Sequence, residues 1–440
     1  MPAGIASTPS DAPVGQQKKG AASSVAMIPF ARASKWHIEQ SNTQSGIVLT
    51  GASPQVFNYP LASYGYLSAV LITVTLSGGS GAGTTNTFFE DAPWSLLSQV
   101  QLSDVNGVPI FQLSGYHAYL AAKYGGYRLF GMDSIIQGDS FDTLTAGTAI
   151  GTTLTQLAGG PKASQALTAG NAPQYGAYYF PPLGTSATGL NCKFILPIFL
   201  EFGLDGLGCL PNMDASARYN LQLTVAGGAT TASATGPYLV VGTAGTAPTM
   251  SITVEVLCRS QPPAQDMFGN INSVSPPAVG TVQYWTNQTA SGLANGSNTV
   301  QLTRVGNLIR NHILVFRNSS TSANPRAIAE TADMPSLFEF DWDVGQRYVC
   351  NTSTLRLINA YGVQGMDVPN GVIWLPNVLD PDKIAISEYG DEWLGTVGAT
   401  KLTLRFSPGA SASGGSVSIL TNDIVPASSQ VYSAPALITQ

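Results

Sequence analysis

Residues Val100–Gly115 read VQLSDVNGVPIFQLSG. If Asp104-Val105-Asn106-Gly107 grips a cation, the chain is to be read for chemistry. If it reverses a strand, the chain is to be read for architecture. A calcium loop of the EF-hand type needs oxygen ligands at positions 1, 3 and 5, glycine at 6 and a bidentate glutamate at 12. Counted from Asp104, Asn106 fits position 3. Gly107 comes too early, Val108 offers no side-chain oxygen, and Gly115 stands where the glutamate belongs. The turn reading fits better. Asn-Gly between alternating apolar residues is the strongest short hairpin signal, and a type I′ turn needs φ > 0 at both central positions. Val105 and Val108 are then expected as the hydrogen-bonded closing pair, with Pro109 opposite Asp104, where a missing N–H costs the hairpin nothing.

Composition points the same way. The 440 residues leave room for two or three domains of about 150 residues each. Soluble chains carry about 25 % charged residues, whereas this one carries 10 %, beside 44 % apolar residues. A monomer keeps itself soluble with charges of both signs, so this chain must expose Ser, Thr, Asn and Gly or cover much of its surface with partners. Its 47 glycines and 28 prolines suit many short strands joined by turns. The net charge of −6, with no basic run longer than Lys18-Lys19, argues against nucleic acid as the main ligand, because phosphate binding needs a basic patch.

Cys192, Cys209, Cys258 and Cys350 have no C-x-x-C spacing, so neither a zinc site nor a disulfide framework is indicated and they read as buried thiols. The first thirty residues hold no sustained apolar stretch, and nowhere do about 18 apolar residues run together. The expectation is a chain made in the cytoplasm that does not cross a membrane.

Residues 1–54 read as an N-terminal arm, rich in Ala, Ser, Gly and Pro up to about residue 35, where a core cannot be buried alone. Beyond it strands dominate. LITVTL places Ile72, Val74 and Leu76 on one face and Thr73 and Thr75 on the other. YNLQLTV, SITVEVLC and KLTLRF repeat the alternation through Leu221, Leu223 and Val225, through Ile252, Val254 and Val256, and through Leu402, Leu404 and Phe406. Period-two alternation marks half-buried strands. One helix is expected in GYHAYLAAKYGG, where Tyr116, Tyr119, Leu120 and Lys123 share a face, Ser114 is the cap and Gly125-Gly126 the stop.

The chain also repeats itself. Gly65, Leu67, Ile72 and Val74 each match a like residue 241 positions later, at Gly306, Leu308, Ile313 and Val315, and Leu96-Leu97 match Leu337-Phe338. Gly125 finds Gly362. The offset then falls to about 180: Leu196-Pro197 match Leu375-Pro376, Leu221 and Leu223 match Leu402 and Leu404, and Val240 matches Ile419. The drop implies an insertion of about 58 residues in the first half, between 127 and 195, an interval that holds the Gly/Thr/Ala-rich stretch 142–170. Two similar halves of about eight short strands each suggest an all-β chain of two tandem eight-stranded jelly-roll β-sandwiches with few short helices. The expected layout is an arm over 1–54, a first roll over 55–260 carrying the insertion, a linker over 261–280, and a second roll with a C-terminal tail over 281–440.

The search for chemistry returns little. There is no G-x-S-x-G elbow, Walker A, H-E-x-x-H, or G-x-G-x-x-G opening a helix. GLDGLG at 203–208 has its glycines in the wrong order and reads as a loop. His117 lies near Ser114, but one turn of proximity is not a triad, and a helix-surface histidine is expected. In FEFDWD, Phe338, Phe340 and Trp342 alternate with Glu339, Asp341 and Asp343. Acids two residues apart on a strand lie about 7 Å from one another, which admits a glycosidase-like or carbohydrate-binding surface. The alternative is an aromatic core face with acids turned to solvent or to a partner's basic group. Asp380 and Asp382 in LDPDK read as a turn. No catalytic residue, metal site or cofactor is expected.

Tandem rolls of this length, a loose N-terminal arm, a long insertion in one roll, low charge and no catalytic set resemble the double jelly-roll major capsid proteins of tailless icosahedral phages with an internal membrane, the tectivirus-like group. GYLSAVLITVTL (65–76), SLLSQVQLSDVNGVPIFQLSGYHAYLAAKY (95–124) and LPIFLEFGLDGLGCLPNMDASARYNLQLTV (196–225) look like such proteins, and the resemblance covers about residues 55–426. It implies a homotrimer whose six rolls form a pseudo-hexagonal capsomer tiling an icosahedral shell, in contact with neighbouring capsomers and with penton and minor capsid proteins. It implies outward loops, an arm that lies inside towards the membrane, and no sequence-specific nucleic acid binding. On the arm, Lys18, Lys19, Arg32, Lys35 and Trp36 are the candidates to meet anionic lipid head groups or a neighbouring subunit. Pro2, Pro9, Pro13 and Pro29 depart from a lipid-anchoring helix. Two rivals stand beside this reading: a carbohydrate-binding or glycoside-hydrolysing sandwich, and another phage structural protein such as a spike or tail component.

Overall fold

A computed structural model of the chain describes residues 29–49, 53–77, 85–88, 91, 94–125, 178–179, 192–202, 206–226, 238–241, 249–262, 275–276, 280–318, 334–342, 346–351, 371–377, 379–380, 385–386, 393–396, 398–409 and 412–425. Sixteen strands build the two halves. The first holds β1 (Trp36–Val48), β2 (Gln55–Pro60), β3 (Tyr66–Ser77), β4 (Leu97–Ser103), β5 (Pro109–Leu113), β6 (Cys192–Phe199), β7 (Asn220–Val225) and β8 (Thr249–Arg259). The second holds β9 (Val282–Ser291), β10 (Asn298–Gln301), β11 (Leu308–Arg317), β12 (Leu337–Trp342), β13 (Gln346–Asn351), β14 (Val372–Pro376), β15 (Leu402–Phe406) and β16 (Ser416–Val425).

In the first half the strands pair in the orders β1-β8-β3-β6 and β2-β7-β4-β5; in the second, β9-β16-β11-β14 and β10-β15-β12-β13. The two halves therefore have one topology, in which each sheet collects strands distant in sequence, as a jelly roll requires. The fold is all-β, two jelly rolls in tandem.

The sequence matches fall on equivalent strands. Leu67, Ile72 and Val74 lie on β3 and their partners on β11; Leu97 and Phe338 lie on β4 and β12; Leu196 and Leu375 on β6 and β14; Leu221 and Leu402 on β7 and β15. The match of Val240 with Ile419 is wrong. Val240 belongs to a short strand that pairs with Thr85–Phe88, whereas Ile419 lies on β16, the counterpart of β8. The chain between the seventh and eighth strands is longer in the first roll, so equal residues there fall out of register. Gly362 lies outside the described residues.

The decisive hairpin joins β4 to β5, but not through a type I′ turn. Asp104 and Val108 close it: the Asp104 N–H donates to the Val108 carbonyl at 2.8 Å, and the Gly107 N–H to the Asp104 carbonyl at 3.1 Å. Gly107 takes positive φ, +83°, so the three-residue loop ends on a left-handed glycine. Pro109 pairs with Ser103, not Asp104. The reason is the carboxylate, since Asp104 Oδ1 accepts from the N–H groups of Asn106 and Val108 at 2.9 and 2.7 Å. Those bonds satisfy backbone donors that a two-residue turn would have arranged differently.

The helix α2 (Gly115–Tyr124) follows β5, with the Ser114 side chain accepting from the His117 N–H at 3.3 Å. All ten of its residues are buried, Lys123 and His117 included, so His117 is not on a helix surface. A Cβ on Gly115 would stand 2.1 Å from the Trp94 carbonyl oxygen, and Trp94 stacks on Tyr119 at 4.4 Å. The backbone's close approach, not a narrow apolar stripe, seats this helix.

The expected arm is shorter than 54 residues. A short helix α1 (Phe30–Ala33) and then β1 already belong to the first roll, β1 pairing with β8 from Trp36↔Arg259 to Val48↔Thr249. Of the insertion expected over 127–195, Tyr178–Tyr179 pair with Phe194 and Lys193 of β6, and β6 itself begins at Cys192; most of the rest, like residues 1–28, 263–274 and 426–440, lies outside the described residues. No helix among the described residues is long and apolar enough to cross a membrane.

Candidate assembly interface

The rolls meet edge to edge. β9, the first strand of the second roll, runs parallel to β5, the fifth strand of the first, with Trp285 opposite Phe111. This single ladder step fuses one sheet from each roll into a nine-stranded sheet. The core of the first roll continues through α2 into the second, reaching Trp285, Ile313, Val315, Trp374 and Trp393; Tyr124 and Trp374 lie 5.2 Å apart. A separate core of Leu314, Phe316, Phe338, Phe340, Leu402 and Phe406 fills the second roll. β11 is consequently buried on both faces, which explains why its sequence LIRNHILVFR is nearly continuous rather than alternating.

Polar residues inside that run do specific work. Arg310 has no exposed surface. It donates to Asn422 Oδ1 at 2.9 Å, to Gln283 Oε1 at 3.3 Å and to the Phe202 carbonyl at 3.3 Å. Its guanidinium carbon lies 4.9 Å from the Phe202 ring and 5.2 Å from the Trp393 ring, within cation–π range. Gln283 in turn donates to the carbonyls of Phe199 and Leu200 at 2.8 and 2.9 Å. The chain leaving β6 in the first roll thus has three carbonyls satisfied by two side chains of the second. Arg317 of β11 pairs with Asp91 of the first roll. Unpaired buried carbonyls are costly, so these contacts set the angle between the rolls as well as their proximity.

A second buried ion pair lies within the first roll. Arg259 binds Glu201 through two bonds of 2.8 and 2.6 Å, and the Ser68 hydroxyl donates to the same carboxylate at 2.6 Å. The Cys209 thiol is 3.4 Å from it, and burial raises that thiol's pKa well above its usual value, so it is a poor nucleophile. Cys209 and Cys258 are buried free thiols, as expected.

Arg32, Lys35 and Trp36 are exposed at the start of the first roll. Phe30 anchors them. It is wholly buried, edge-on to Tyr66 at 5.1 Å, over Gly206, where a Cβ would come within 2.6 Å of its ring. The Lys35 N–H donates to Ser260 Oγ and the Ser260 N–H to the Lys35 carbonyl, both at 2.8 Å. Lys18 and Lys19 lie outside the described residues.

In FEFDWD, Phe338 and Phe340 sit in the second core, and Asp341 pairs with Arg405 at 3.1 Å. Asp343, Asp382 and the Trp342 side chain lie outside the described residues. No cluster of three or more His, Cys, Asp or Glu that could hold a metal occurs among the described residues. Sequence reasoning overlooked the junction residues Arg310, Gln283 and Asn422. For Arg310 and Asn422 the signal was there, as polar residues inside otherwise apolar strands at LIRNHILVF and SILTNDIV; Gln283 lies in the mixed strand VQYWTNQTAS, where it does not stand out.

No family model matches this chain, and no curated protein matches it. Solved structures do. The chain is similar to the major capsid protein of STIV, Sulfolobus Turreted Icosahedral Virus, at TM-score 0.52 and 10 % identity, covering 90 % of this chain and all of that one. It is similar to a chain of the PBCV-1 virus capsid at TM-score 0.53 and 12 % identity, covering 89 % of this chain and 94 % of the other. The likeness extends over about nine-tenths of the chain, which has the double jelly-roll fold of these viral major capsid proteins.

Proposed function

We propose that this chain is a virion structural protein, a major capsid protein that assembles as a homotrimer of six rolls, a pseudo-hexagonal capsomer tiling an icosahedral shell. The observation that carries the reading is the pair of complete rolls with one strand order, joined rigidly through Arg310, Gln283 and α2. Two alike rolls in each of three chains supply six near-equivalent sides. A charged content of 10 % suits a subunit that covers much of its surface with copies of itself. Nothing in the reading calls for a catalytic step or a cofactor.

Residues 30–260 and 281–440 would form the two rolls, with 261–280 as linker and the 127–195 segment turned outward. Neighbouring capsomers, penton and minor capsid proteins would be its partners, and the virion its location after synthesis in the host cytoplasm. Lys18, Lys19, Arg32, Lys35 and Trp36 would face an internal membrane. Supporting this, Arg32, Lys35 and Trp36 are exposed in sequence and held by Phe30. Sedimentation with anionic vesicles, lost on replacing the four basic residues by glutamine, is the expected result for that contact.

Light scattering over a concentration series tests the assembly. A species of three times the 45.8 kDa chain mass is expected; a monomer at every concentration would overturn the proposal.

A further inference from the structure

We propose that Asn295-Gly296, on the connection between β9 and β10, is a site of spontaneous modification that converts Asn295 to aspartate and isoaspartate. The same dipeptide at Asn106-Gly107 is protected by its turn. The reaction needs only water. The backbone nitrogen of Gly296, having given its proton to solvent, attacks the side-chain carbonyl carbon of Asn295. A C–N bond forms, and the side-chain nitrogen takes a proton from water and leaves as ammonia. Water then opens the five-membered imide. Opening at the main-chain carbonyl gives isoaspartate, and opening at the side-chain carbonyl gives aspartate. Glycine in second place leaves the attacking nitrogen unhindered, since it has no Cβ.

The sequence offers three Asn-Gly pairs, at 106, 295 and 370, and Asn370 lies outside the described residues. Steric room does not separate the other two: a Cβ on Gly107 or on Gly296 would meet nothing within 4 Å. Their N–H groups do. The Gly107 N–H donates to the Asp104 carbonyl at 3.1 Å. The Asp104 carboxylate accepts from the N–H groups on either side of it, those of Asn106 and Val108. A fixed negative charge there disfavours a second one on the nitrogen between them. At the other pair neither restraint exists. Asn295 is exposed, the Gly296 N–H finds no acceptor among the described residues, and 292–301 reads GLANGSNTVQ, without a charge. The loop is nonetheless well framed. The N–H groups of Gly292 and Leu293 donate to the Gly415 carbonyl at 2.9 and 3.2 Å, and Leu293 is buried. Asn298 accepts from the Ala294 N–H at 2.9 Å and donates to the carbonyls of Ala294 and Gly296, both at 3.0 Å. These contacts leave the Asn295 side chain and the Gly296 N–H outside the frame. Isoaspartate lengthens the main chain within the Asn298 clasp, and either product adds a negative charge to a chain of net −6.

The test keeps the full-length protein in mildly alkaline buffer made with heavy-oxygen water and follows both sites by peptide mass mapping. Asn295 should take up heavy oxygen on the order of tenfold faster than Asn106, the size of the one hydrogen bond that Gly107 must first give up. Isoaspartate should appear at 295, read by electron-transfer fragmentation. In the same protein unfolded in guanidinium the two rates should converge. In the folded chain Asp104→Ala should speed Asn106 and leave Asn295 unchanged. Equal rates at the two sites of the folded parent, or a faster Asn106, overturn the proposal. So does an Asn295 that stays intact while the unfolded chain reacts. A folded Asp104→Ala protein in which Asn106 stays slow overturns the protection assigned to the turn. Should that variant fail to fold, the comparison of folded with unfolded parent decides by itself.

Discussion

Arg310 of the second roll meets Phe202 of the first twice, through a 3.3 Å hydrogen bond to its backbone carbonyl and through its ring, 4.9 Å from the guanidinium carbon. The same guanidinium holds Asn422 and, with it, Gln283. Arg310→Met keeps the volume and removes every donor. Stranding buried acceptors in this way costs about 2–4 kcal/mol, so the urea midpoint should fall clearly. Arg310→Lys should not restore it, because an ammonium lacks the planar fork that reaches three acceptors at once. A methionine variant as stable as the parent would show that the junction contributes little.

Gly65 and Gly306 occupy the same place in the two rolls, both at positive φ, +52° and +91°. Their surroundings differ. A Cβ on Gly65 would stand 2.2 Å from the Arg259 carbonyl oxygen, whereas a Cβ on Gly306 would meet nothing within 4 Å. Gly306→Ala should cost about 1 kcal/mol from backbone strain alone. Gly65→Ala should cost distinctly more, because backbone must move. Equal losses in chemical denaturation would contradict the geometry.

His312 and His117 are both buried, and burial is the main cause that lowers their pKa values to about 4 and about 3 from 6.5. At His117 the Arg317 charge lowers it further and the Asp91 charge opposes. The folded state keeps both rings neutral while the unfolded chain protonates them below about pH 6.5. Their contribution is therefore complete above that pH and is lost as pH falls, towards about 4 for His312 and about 3 for His117. Each ring removes about 1.4 kcal/mol per pH unit in its window. The His312 ring packs 5.3 Å from that of Phe340, so His312→Phe should fold and flatten the acid limb of stability against pH. An unchanged slope would rule this titration out.

Asp104→Ala removes the acceptor of two turn N–H groups and should lower stability by about 1 kcal/mol, with Asp104→Asn retaining most of it. Chelator should leave the melting temperature of the parent unmoved. A calcium-dependent rise would revive the cation reading of the loop.

Much of the architecture was legible because it rests on local rules. Alternation marks half-buried strands, and in β3 it correctly set Ile72, Val74 and Leu76 inward; Ser114 announced the start of α2. The repeat was legible because equivalent core positions in two like rolls demand like side chains, as at Leu67 and Leu308. It failed at Val240, where unequal loops shift the register and the core no longer constrains the spacing. The hairpin was placed correctly but built differently, because the Asn-Gly rule takes no account of a carboxylate at the preceding position.

The sequence by itself determined an all-β chain of two jelly rolls, since strand periodicity, turn residues and composition are written residue by residue. Only the tertiary structure decided how the rolls are joined. That depends on Arg310, Gln283 and Asn422 converging from three strands upon carbonyls more than eighty residues away, and on a helix buried on every side. Such contacts leave no periodic trace, because a buried polar residue is defined by its partners and those are chosen by the fold, not by neighbours in the chain.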